Sequence, residues 1–129
     1  MKPPKFKHLV LGALPCDQLK AAGLVLPDGE VHFRIPAQRH AFTRHPTTYM
    51  TCVPFLSDAV QNPSHAGQSP LHKNDGFELV KEVRASGLIV LVSIYLKPSN
   101  NGIYFATSTY PLDEKKLTSR LKKGHLFEL

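Results

Sequence analysis

The run Gln38-Arg39-His40-Ala41-Phe42-Thr43-Arg44-His45-Pro46 places two imidazoles and two guanidiniums within seven residues, directly after a strand-like segment. Imidazole is the side chain that changes charge near neutral pH without help from its surroundings. A guanidinium grips phosphate with a planar fork of donors. Together they suit metal-free cleavage of RNA, in which a ribose 2′-hydroxyl attacks the neighbouring phosphate. That reaction needs a base for the hydroxyl, an acid for the leaving oxygen, and donors for the charged phosphorus centre. His40 and His45 fit the acid–base roles, and Arg44 fits the phosphate. Thr107, Ser108 and Thr109 offer hydroxyl donors near the end of the last long strand-like segment. Tyr110 offers another donor, or a ring on which a base could stack. Spacing alone equally allows both histidines to be solvated or helix-capping side chains.

Other chemistries fit less well. The chain has seven histidines, but a metal-binding pair on one helical turn sits four apart with a carboxylate nearby. His40 and His45 are five apart, without a neighbouring carboxylate, and Arg44 beside them opposes a cation. No metal and no cofactor are therefore expected. Cys16 and Cys52 are too widely spaced for a zinc or redox motif, and Cys52 reads as core. There is no glycine-rich phosphate loop. Lys81 reads as an edge-strand lysine that discourages aggregation, and would become a phosphate contact only if its face lined the cleft.

The elements that must position these groups follow from periodicity. Pro15 to Ala22 reads as a short helix closed by Gly23. Glu30 to Ile35 alternates as a half-buried strand, with His32 and Arg34 on its polar face. Pro36 then opens a helix that His45-Pro46 ends, because the residue before proline is pushed toward extended geometry. A second helix spans about residues 54–61, stopped by Asn62-Pro63. Beyond it come a strand between Ala66 and His72, alternating strands over 77–84 and 103–110, and between these a continuous apolar run over 88–96 that reads as the central strand. The last of these is read with Thr107 and Thr109 on one face and Ser108 and Tyr110 on the other. A basic tail containing Lys115, Lys116, Arg120, Lys122 and Lys123 begins as a helix. The expected class is α+β: one domain over residues 1–129, helices first and an antiparallel meander packed against them.

Bulk properties agree with an anionic partner. Sixteen Lys and Arg against ten Asp and Glu give a net charge of +6, which favours nucleic acid. The apolar run Leu9 to Leu14 is too short for a secretory core or a membrane span. With two unpaired-looking cysteines this makes a cytoplasmic location the expectation.

The strand leading into "QRHAFTRHP", the helix ending in "NP" and the final strand "GIYFATSTYP" together resemble the phage-associated BECR nucleases. That group is named for barnase, EndoU, colicin and RelE. The resemblance runs from about Val31 to Leu126. It implies N-terminal helices on a four-stranded antiparallel sheet and a metal-independent endoribonuclease that leaves 2′,3′-cyclic phosphate ends. It further implies a phage- or toxin-related role and an immunity or antitoxin protein as a partner besides RNA. Carried over by motif, His40, His45, Thr107, Thr109 and Tyr110 become catalytic, and Arg39, Arg44, Ser108 and Arg120 become substrate contacts. Two alternatives stay open: a catalytically inert nucleic-acid-binding module, and a phage structural or assembly domain.

Overall fold

The computed structural model describes residues 2–72 and 74–129. Seven strands form one sheet: β1 (Leu9–Ala13), β2 (Glu30–Phe33), β3 (His65–Gly67), β4 (Gly76–Val83), β5 (Leu88–Tyr95), β6 (Ile103–Leu112) and β7 (Leu126–Glu128). Their order across the sheet is β1-β2-β6-β5-β4-β3-β7. All neighbours are antiparallel except β2 and β6, which run parallel with His32 opposite Phe105.

This corrects the expectation of a four-stranded antiparallel meander carrying N-terminal helices. The meander β4-β5-β6 is the centre of a larger mixed sheet. β2 joins the far side of β6 in parallel, which is possible because a long stretch of chain separates the two strands. β1 extends that side, and β3 with β7 extends the other. β1 was hard to read because its alternation breaks at Gly12. There the register with β2 slips and the backbone takes φ +105°, which favours glycine.

Among the described residues, five α-helices complete the fold: α1 (Cys16–Leu19), α2 (Ile35–Arg44), α3 (Pro46–Cys52), α4 (Leu56–Gln61) and α5 (Glu114–Lys122). The first four cover one face of the sheet. Leu19, Phe42, Tyr49, Leu56 and Val60 pack there against Phe33, Leu79, Val92 and Tyr104. α5 lies on the opposite face and is begun by Asp113, whose carboxylate accepts the Lys116 N–H at 2.7 Å. Its Leu117 closes a smaller core with Val80, Leu91, Leu112 and Leu126.

Lys81 differs from its expected role. β4 is an internal strand, and the Lys81 ammonium turns onto the end of α4, donating to the Asn62 carbonyl at 2.8 Å and lying 3.6 Å from Asp58. A cation there satisfies carbonyls at a helix C-terminus. Its side chain is thereby engaged with α4.

Candidate functional site

β6 decides which of the hydroxyl groups can face a substrate. Opposite Ser93 and Ile94 of β5, the strand slips by one residue, so that Ser108 and Ala106 take consecutive partners and Thr107 bulges between them. One extra residue reverses the alternation. Tyr104 and Ala106 point into the larger core before the bulge, and Thr109 does so after it. The Thr109 hydroxyl donates to the Leu91 carbonyl at 2.8 Å and is fully buried. The Thr107 hydroxyl donates to the Ser93 carbonyl at 3.3 Å, within the bulge itself. Neither joins the other expected site residues. Ser108 and Tyr110 fall on the opposite face and remain partly exposed.

On that face Tyr110 is the meeting point. The His45 ring lies with its centroid 5.8 Å from the Tyr110 ring, tilted by 40°. His45 reaches it because Pro46 forbids α2 from continuing: His45 caps α2 and precedes α3 with φ −141° and ψ 66°. The kink throws its side chain off both helices.

From the other side α5 delivers Arg120. Its Nη1 donates to Glu78 Oε1 at 2.9 Å, and the guanidinium also meets the Tyr110 hydroxyl. Glu78 lies in the centre of β4 with only 3% of its surface exposed. Burial alone would lower the pKa of Arg120. The Glu78 carboxylate and the Tyr110 contact outweigh it and raise the pKa, so the guanidinium stays charged. A buried carboxylate thus fixes a cation at the edge of an opening.

The opening is a cavity of about 490 Å³ between β6, α5 and the segment before β4. Tyr110, Arg120, Lys116, Lys123 and His125 line it, together with Ser69 and Ser119. His125 is held there where α5 ends: Gly124 takes φ +72° and the His125 N–H donates to the Arg120 carbonyl at 2.9 Å.

The remaining expected site residues stand elsewhere. Arg39, His40 and Arg44 are exposed on α2. The His40 imidazole makes no hydrogen bond, ion pair or ring contact among the described residues. Gln38, at the start of the same motif, is buried and structural. Its amide donates to the carbonyls of Phe33 at 2.7 Å and Lys7 at 2.6 Å, and its oxygen accepts from the Tyr49 hydroxyl at 3.0 Å.

Three groups escaped the sequence reading. Glu78 looked like an ordinary alternating strand residue, and only the third dimension shows it buried beneath Arg120. His125 sat in a tail read as solvated. The third is a chain of hydrogen bonds at the β1–β2 edge: His8 Nε2 to His32 Nδ1 at 2.8 Å, and His32 Nε2 to Glu30 Oε1 at 2.7 Å. A carboxylate only accepts, so His32 donates to Glu30. With that tautomer His32 Nδ1 accepts from His8 Nε2. Beside this chain the Arg34 guanidinium sits 4.0 Å above the Phe105 ring, a cation–π contact.

Among the described residues, no group of three or more His, Cys, Asp and Glu side chains is placed to hold a metal ion. No described helix is long and apolar enough to cross a membrane. Comparison with known proteins finds no matching family model, no matching curated protein and no matching solved structure.

Proposed function

We propose that this protein is a metal-independent endoribonuclease whose site is the cavity at Tyr110, with His45 and His125 as the proton-transfer groups. One observation carries the reading: the His125 imidazole, the Tyr110 phenol and the Arg120 guanidinium held by a buried carboxylate line one opening, and the His45 ring packs against that same Tyr110 without itself lining the cavity. In this reaction one imidazole takes the proton of the attacking 2′-hydroxyl. The 2′-oxygen bonds to phosphorus as the bond to the 5′-oxygen breaks, and the second imidazole, protonated, gives the departing oxygen its proton. The products are a 2′,3′-cyclic phosphate and a free 5′-hydroxyl. Arg120 holds the phosphate oxygens, its fork kept in place by Glu78. Lys116 and Lys123 add positive charge at the cavity wall.

This reading moves the second imidazole from His40 to His125, which lines the cavity that His40 does not. Supporting it further, the hydroxyls of Tyr110 and Ser119 can donate to a phosphorane in the same space. Incubation of single-stranded RNA with the protein in excess EDTA, followed by end-group analysis, tests it. Cyclic-phosphate ends are expected. RNA that is bound but left whole would make the protein an inert binding module instead.

A further inference from the structure

We propose that the N-terminal segment Lys2 to His8, together with the exposed side of α2, forms a docking face for the phosphate backbone of RNA that continues beyond the cleavage site. This rests on the nuclease reading for the identity of its partner. The charge distribution points to it. Of the sixteen Lys and Arg in the chain, six are Lys2, Lys5, Lys7, Arg34, Arg39 and Arg44. Residues 2–8 and 31–57 hold these six and no Asp or Glu, so these two segments carry +6 while the rest of the chain balances at ten against ten. All six are exposed, and none of them forms an ion pair among the described residues.

The fold brings the six together. Phe6 packs edge-on against Phe42 at 5.9 Å and Tyr49 at 6.1 Å, and Gln38 binds the Lys7 carbonyl at 2.6 Å. The segment is thereby laid against α2 and α3 with its lysines outward. From Val31 to Ser57 the sequence contains no Asp or Glu. The nearest carboxylate on β2, Glu30, is occupied by His32. Unpaired like charges crowded on one side of a protein repel one another and are stabilised by a polyanion.

RNA fits better than an acidic protein or a lipid surface because the face leads into the site. Arg44 directly precedes His45, whose ring touches Tyr110. α2 spans about 15 Å. A nucleic-acid strand can lay more than one phosphate along that length. The three arginines also supply the forked donors that match phosphate.

The test uses a 12-nucleotide 2′-O-methyl RNA, which cannot undergo attack by its own 2′-oxygen, and fluorescence anisotropy over a salt series. Two charge-matched triple variants are compared: Lys5→Gln/Lys7→Gln/Arg39→Gln on the face, and Lys20→Gln/Lys97→Gln/Lys115→Gln elsewhere. The first is expected to weaken binding roughly tenfold and to flatten the plot of log affinity against log salt by about 2, near 0.7 per lost phosphate contact. The second should leave the slope unchanged. Equal effects from both triples, or a slope untouched by the first, would overturn the proposal. So would wild-type binding to anionic lipid vesicles that matches or exceeds binding to the RNA. If face-dependent binding is found while natural RNA is left whole, the docking face stands and the nuclease reading fails.

Discussion

At Arg120 and Glu78 a single ion pair ties stability to the proposed activity. Glu78 is buried in β4, and Arg120 Nη1 at 2.9 Å is the cation that offsets its charge. Breaking a buried pair from one side strands a charge and costs more than the pair itself contributes. Arg120→Ala is therefore expected to lower unfolding stability by about 3 kcal/mol in urea denaturation. Replacing both partners, as Glu78→Leu/Arg120→Met, should recover most of that loss and still leave RNA uncleaved. Recovery of stability together with activity would show that Arg120 has no part in the reaction. Of this pair only Arg120 was visible in the sequence, as one cation among several in the tail. A strand glutamate among alternating residues carries no mark of burial until α5 is placed above it. His45 was more legible, because the proline after it dictates both the kink and the exposure of its imidazole.

At the scale of elements, α2 serves two masters: its exposed side carries Arg39, His40 and Arg44, and its buried side is organised by Gln38. Gln38 links the N-terminal segment, the end of β2 and α3 through hydrogen bonds to Lys7, Phe33 and Tyr49. Gln38→Ala should cost about 1–3 kcal/mol, the usual effect of leaving buried groups unpaired. It should also speed amide hydrogen exchange in residues 6–8 more than in β5. The same junction is sensitive to alkali. Burial raises the Tyr49 pKa to about 12, whereas an unfolded tyrosine titrates near ~10. Between those values the unfolded chain releases a proton that the folded one retains. Stability present below pH ~10 thus declines as pH rises toward 12. Tyr49→Phe should flatten that decline in urea titrations at stepped pH.

Periodicity located β2, β4, β5 and β6, and caps and prolines located α1, α2, α4 and the start of α5, but α3 (Pro46–Cys52) was not expected, because Pro46 was read only as the end of α2. Periodicity failed where one residue changes the count. The bulge at Thr107 moved Thr109 into the core and left Ser108 and Tyr110 outside, so a strand read as uniformly alternating misassigned its second half. The slip at Gly12 hid β1 in the same way.

For the molecule as a whole, the helices α1 to α4 cover one sheet face, while α5 covers only part of the other and leaves Tyr110 at the edge of an opening. Sheet topology itself was beyond reach of local pattern: parallel pairing of β2 with β6 joins segments about 70 residues apart, and nothing in either strand names its partner. Charge follows the same division, with the surplus on the N-terminal segment, Arg34 and α2 and a balanced remainder. Both halves of the proposed site meet at Tyr110, against which the His45 ring packs. The central claim is that this imidazole transfers a proton during RNA cleavage. Its most direct test is the single-turnover cleavage rate of His45→Ala in EDTA, beside His40→Ala and the wild type, with thermal unfolding as a control for folding. The account predicts a loss of about 10²–10⁴-fold for His45→Ala at unchanged stability, and a near wild-type rate for His40→Ala. A His45→Ala protein that cleaves at the wild-type rate would contradict it.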